Sequence, residues 1–189
     1  MSPSVIFSIT FLVLLFAVFY FDIKYDMLKD ISTANRKPYS FSRVQLAWWS
    51  VIILTSFITI IATKGIPILD KSQLILLGIS AVTTGSARII DVSDQSNNVS
   101  MIQNDERQNI LLDILSDSNG VSIHRFQSLV FNITFGIWFI SQVLQNFSGH
   151  PASEIMPVIE QSNLILLGLS SGAYVALKTT ENKNQTAVG

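Results

Sequence analysis

Gly168-Leu169-Ser170-Ser171-Gly172 has the G-x-S-x-G spacing of a hydrolase nucleophile. That motif works on a strand-to-helix elbow with a base beside the serine. Here the serine lies inside a long apolar run of helical character, and the two histidines, His124 and His150, fall outside it. Hydrolysis is therefore not expected, and the chain reads as a non-enzyme. A second group is rich in hydroxyls: Ser80, Thr83, Thr84 and Ser86, followed by Arg88. Ser80, Thr84 and Arg88 stand four apart and share a helix face. In an oligomer that face could line a water-filled path with a basic inner mouth, with Ser170 and Lys178 as counterparts. The competing reading is helix glue, with hydroxyls bonded to their own backbone and Arg88 reaching for headgroups.

A third group pairs Arg43 with Gln45 and Arg125 with Gln127, each Arg-x-Gln unit opening an apolar run. Such groups suit an anionic lipid headgroup or an anion drawn to a pore mouth. Ala81 and Gly85, and then Gly168, Gly172 and Ala176, recur at four-residue spacing and suit close helix packing. The runs 46–63, 73–90, 128–145 and 162–178 hold no Asp, Glu or His. Proton-coupled transport, which normally uses such a group in the membrane, is disfavoured. With no cysteine and no metal-ligand spacing, neither a cofactor nor a metal is expected.

The elements that carry these groups are duplicated. Asp70-Lys71-Ser72-Gln73-Leu74-Ile75-Leu76-Leu77-Gly78-Ile79-Ser80-Ala81 returns as Glu160-Gln161-Ser162-Asn163-Leu164-Ile165-Leu166-Leu167-Gly168-Leu169-Ser170-Ser171, identical at seven of twelve positions. Two independent apolar runs would not match so well. Upstream, Phe41-Ser42-Arg43-Val44-Gln45 pairs with Ile123-His124-Arg125-Phe126-Gln127. The repeating object is a helical hairpin with its lead-in.

Apolar runs at about 4–22, 46–63, 73–90, 128–145 and 162–178 each approach the ~20 residues that cross a bilayer. The expectation is an all-α membrane protein of five transmembrane helices, one N-terminal helix plus two parallel-repeat hairpins forming a pseudo-twofold four-helix unit. Its segments are an N-terminal span at 1–22, a linker at 23–45, a hairpin at 46–90, a linker at 91–127, a hairpin at 128–178 and a disordered tail at 179–189. The first run lacks a basic start and a small-residue cleavage site, so it reads as a retained span. Placing 23–45 inside sorts the twelve basic residues as ten inside and two outside. By the positive-inside rule this sets the N-terminus outside and the C-terminus in the cytoplasm.

Within the linkers, Ser93 to Gln108 reads as mobile. Ile110, Leu111, Ile114 and Leu115 recur at helical spacing around Asp113 and Asp117, which predicts an amphipathic helix over 110–117. Trp48 and Trp49 are expected near the inner interface. Asn132 and Gln142, amides within a span, are expected to face other helices.

The motifs Pro38-Tyr39-Ser40-Phe41-Ser42-Arg43-Val44-Gln45, Leu76 to Ser80, Ile123 to Gln127 and Leu166 to Tyr174 resemble a group of small, uncharacterised bacterial multi-pass membrane proteins over about residues 36–178. The resemblance implies a bacterial inner membrane and brings no activity with it. The leading functional expectation is a small oligomeric channel, with an anion preference from its inner basic ring. The alternatives are a non-conducting scaffold that docks a soluble cytoplasmic partner through 23–45 and 91–124, and a scaffold for anionic lipid. Membrane lipids and further copies of the chain are the expected partners; a net charge of −1 gives no surface for nucleic acid.

Overall fold

The computed structural model describes residues 1–30, 37–96, 109–117, 120–168 and 172. Helix α1 (Pro3–Tyr25) opens on proline, whose missing N–H is no loss in a first turn. It closes at Asp26, which takes the left-handed conformation (φ 54°) and donates its N–H to the Asp22 carbonyl. Aspartate is among the few residues that tolerate that corner.

Helices α2 (Phe41–Thr63) and α5 (Ile123–Asn146) each start directly after an extended serine, Ser40 (φ −88°, ψ 120°) and Ser122 (φ −92°, ψ 126°). The matched lead-ins thus start helix at the same position. Helix α3 (Lys71–Ser96) follows Asp70, whose Oδ1 accepts the Ser72 N–H at 2.9 Å. Its sequence partner is helical from 161, ninety residues on, through 168.

Helix α4 (Ile110–Leu115) is capped by Asn109, whose Oδ1 accepts the Leu111 N–H at 3.2 Å. It stops two residues short of the expected 117, because the chain turns extended. Strand β1 (Ser116–Asp117) pairs antiparallel with β2 (Gly120–Val121), and Gly120 supplies the positive φ of 117° that the turn requires. In the other direction α3 outruns its expected end at 90 and takes up 93–96; the rest of the stretch expected to be mobile, and the tail 179–189, lie outside the described residues.

Among the described residues four helices are long and apolar enough to cross a membrane: Pro3–Tyr25, Phe41–Thr63, Lys71–Ile90 and Ile123–Asn146. They mark an all-α integral membrane protein. The fifth expected span enters the described structure only as the helical segment 161–168.

Helix α2 sits at the centre and touches α1, α3, α4 and α5. Trp49, Ile52, Ile60, Leu76, Phe139, Val143, Ile155 and Leu167 fill the core. Helix α1 contributes Phe7 to that core and turns Leu12 (66% exposed) and Phe16 (72%) outward, as a lipid-facing helix must. At the end away from the α2 and α5 starts, Gln73 Nε2 donates to the Pro157 carbonyl at 2.7 Å, and Ser72 Oγ accepts the Ile159 N–H at 3.1 Å. These two bonds tie the loop before 161 onto the start of α3.

Candidate functional site

The end of the bundle where α1 stops and α2 and α5 begin is built twice from one pattern. Asp22-Ile23-Lys24-Tyr25-Asp26-Met27-Leu28-Lys29-Asp30 aligns with Asn109-Ile110-Leu111-Leu112-Asp113-Ile114-Leu115-Ser116-Asp117, with identity at the Ile, the second Asp, the Leu and the last Asp. In both copies the aligned leucine carbonyl takes the N–H of the serine that starts the next helix: Ser40 to Leu28 at 2.8 Å, Ser122 to Leu115 at 2.9 Å. The next residue pairs antiparallel across the turn, Lys29 with Tyr39 and Ser116 with Val121.

Both arginines then fold back onto that turn. Arg43 Nη1 donates to the Met27 carbonyl at 3.4 Å, and Arg125 Nη1 donates to the Ser116 carbonyl. The Arg125 contact is part-buried, whereas the Arg43 contact is long and exposed and holds its turn weakly. Each arginine thus reaches back to a carbonyl of the turn before its helix, though not to the same one, since Ser116 is the counterpart of Lys29 and not of Met27. The two ledges are joined where Asp113 Oδ2 accepts the Tyr39 N–H at 3.4 Å. Gln45 is buried beside the first clamp, whereas Gln127 is exposed, so the second member of the unit is not used alike in the two copies.

In the first ledge Asp26 bonds Lys29 at 2.7 Å and Lys37 at 3.0 Å. The Lys29 and Lys37 ammoniums hold its carboxyl below the usual carboxylate range, and Asp26 in turn raises Lys29. In the second ledge Asp113 and Ile114 are buried while Leu111 (54%) and Leu112 (44%) face out. The acidic face expected of α4 is thus turned inward, because Asp113 has backbone to accept from in the first repeat. By the alignment, α4 is the counterpart of the last turn of α1.

The hydroxyls expected to line a path lie inside the single chain. Ser80 is fully buried and Thr83 nearly so, with Thr83 Oγ1 donating to the Ile79 carbonyl at 2.7 Å. Thr84 Oγ1 lies 3.0 Å from both the Ser80 and the Ser42 carbonyls, which fastens α3 to α2. Only Arg88 of that group is exposed. The packing residues run the other way: Ala81 and Gly85 are exposed, and a Cβ at Gly85 would meet nothing within 4 Å. Gly168 packs, with Ile79 Cδ1 3.6 Å from where its Cβ would be, while Gly172 has open space. Ser170, Ala176 and Lys178 lie outside the described residues.

The interior contact that the sequence did not single out is between α2 and α5. Trp49 Nε1 donates to Asn132 Oδ1 at 2.7 Å, and Trp48 Nε1 to the Asn132 carbonyl at 3.1 Å. The two indoles, Trp49 buried and Trp48 half-buried, both turn to α5, where Asn132 offers the acceptors they need. Gly136 lies under Trp48, where a Cβ would come within 2.5 Å of Nε1.

At the opposite end a cavity of about 560 Å³ opens among Asp70, Lys71, Trp138, Gln142, Asn146 and Glu154. The backbone N–H of Ser72 keeps the Asp70 carboxyl below its ordinary range. Asn146 is already engaged, donating Nδ2 to the Ile155 carbonyl at 3.0 Å. No known protein family, curated protein or solved structure matches the chain.

Proposed function

We propose that the chain is a non-conducting membrane scaffold of five spans, the N-terminal helix and two like-oriented hairpins, with its N-terminus outside. It presents a stiff basic ledge to the cytoplasm, where a soluble partner with an acidic surface docks. The observation that carries this reading is the doubled ledge: two clamped turns, joined through Tyr39 and Asp113, with Lys24, Lys37 and Arg88 exposed around them. A fixed array of cations favours one partner geometry, since little side-chain and loop freedom is lost on docking. The outward Leu111 and Leu112 suit the headgroup boundary, which leaves the cations to the aqueous side.

Conduction is the competing reading. The burial of Ser80 and Thr83 within one chain counts against it, because a ring of copies would find few hydroxyls on its inner wall. Purified protein in liposomes is expected to pass no ions, and photo-crosslinkers at Lys37 and Arg88 are expected to capture an acidic soluble protein that crosslinkers at Ser148 do not. Charge reversal, Lys24→Glu with Arg88→Glu, should abolish that capture while leaving the Asp26 ion pairs in place. An ion flux that vanishes in Arg88→Ala would overturn the scaffold reading.

A further inference from the structure

Helices α2 and α5 bury opposite faces. Aligning Ser40 with Ser122 gives every α2 position its α5 counterpart. On α2, Leu54 (48%) and Ile61 (48%) are exposed, yet their counterparts Gly136 and Val143 are buried. On α5, Ile133 (43%) and Ile137 (59%) are exposed, yet their counterparts Val51 and Thr55 are buried. Contact about a local twofold would join like faces and bury them alike. This one joins unlike faces: Trp48 and Trp49 of α2 rest on Asn132, Gly136 and Phe139 of α5. Among the described residues the contact between α2 and α5 is therefore head-to-tail.

A head-to-tail contact uses one face of each kind and, among the described residues, leaves one of each kind open. The open knob face is on α5, where Val130 (42%) is the counterpart of Trp48. The open socket face is on α2, where Leu54 (48%) is the counterpart of Gly136. We propose that a second copy of this chain fills them: the Val130 face of α5 in one copy packs on the Leu54 face of α2 in the next. The contact made within the chain is thus repeated between chains, and it closes into a ring if the rotation allows.

The side chains support this occupant. Within the chain a large Trp48 covers a Gly136 that has no room for a Cβ. Between chains a middling Val130 would cover a middling Leu54. Bulk is moved across the contact and the combined size is nearly kept, which is the kind of exchange that packed helices accept. Ser50, the counterpart of Asn132, and the exposed Thr134 add small polar residues of the type found where membrane helices meet.

The chain has no cysteine, so single cysteines can be placed without background. Leu54→Cys and Val130→Cys, on differently tagged copies in native membranes, are expected to cross-link with each other several-fold more than Leu12→Cys does with itself on the lipid face of α1. A chain carrying both substitutions should give a ladder of multimers. All three positions are exposed, so folding is not at stake, and circular dichroism of each variant checks it. A dominant 54–54 or 130–130 product would show a twofold contact and overturn the proposal. A 54–130 yield no greater than that of Leu12→Cys would show that lipid alone covers these faces, and would overturn it too.

Discussion

Asn132 accepts the Trp49 indole N–H on its side-chain oxygen at 2.7 Å, while its own amide donates to the Ser128 carbonyl at 2.7 Å. Both residues are buried, so each polar atom depends on the other. Asn132→Leu strands the Trp49 N–H and should lower stability by about 1–3 kcal/mol. Adding Trp49→Phe removes the stranded donor, and the double variant should lose less than the two single losses together. Thermal unfolding in detergent, followed by circular dichroism, gives the cycle.

Gly136 and Gly85 should respond oppositely to alanine. A methyl at Gly136 meets the Trp48 ring and should cost about 1–3 kcal/mol as overpacking. At Gly85 the space is open, and alanine should leave stability unchanged or raise it by up to about 1 kcal/mol through helix propensity. The same melting experiment compares them.

Arg125→Ala removes the donor to the Ser116 carbonyl, and Arg43→Ala the donor to Met27. Each should speed amide exchange in its own turn, at Val121 and Ser122 in one case and at Tyr39 and Ser40 in the other. The loss should be about 1–2 kcal/mol of local opening free energy at the part-buried Arg125 contact and smaller at the exposed Arg43 contact. If the arginines instead serve chiefly to hold lipid, exchange in the turns will be unmoved and co-purifying anionic lipid will fall.

Acid should loosen the first ledge, and only below the ordinary carboxylate range. Pairing with Lys29 and Lys37 lowers the folded-state pKa of Asp26, so its contribution is complete above the ordinary carboxylate range and is lost as pH falls through that depressed value. Lys29 is raised, so its share is complete below the ordinary lysine range and is lost as pH rises through the raised value. Protection of the Lys29 and Ser40 amides, measured against their intrinsic exchange rates, should therefore be greatest between these limits. Asp26→Asn, which keeps a residue tolerant of the left-handed corner, should flatten the acid limb.

The helices and the start of each repeated segment were legible because long apolar runs and a near-identical lead-in leave few alternatives. Helices α2 and α5 start at Phe41 and Ile123, inside the expected linkers and five residues before the expected 46 and 128, but they do so at matched positions of the repeat, as Lys71 and Gln161 do. The match of 22–30 with 109–117 was hidden because the loops that follow differ in length and only the hydrogen bonds bring the two turns into register. Which face of α2 or α5 turns inward was not legible either. Helix α2 is apolar nearly all round, so its hydrophobic periodicity carries little phase, and its contact with α5 is set by one glycine under one indole.

The brevity of α4 has a topological consequence. Six residues of helix span about 9 Å, far short of the hydrocarbon layer, and Ile114 of α4 packs with Ala87 of α3 and Phe41 of α2 while the Leu115 carbonyl accepts the Ser122 N–H, so the described end of α3 and the start of α5 lie at one end of the bundle. Had the second copy kept a full counterpart of α1, the parity of crossings would change and the hairpin beginning at α5 would enter upside down, with Asp113 and Tyr39 on opposite sides of the membrane.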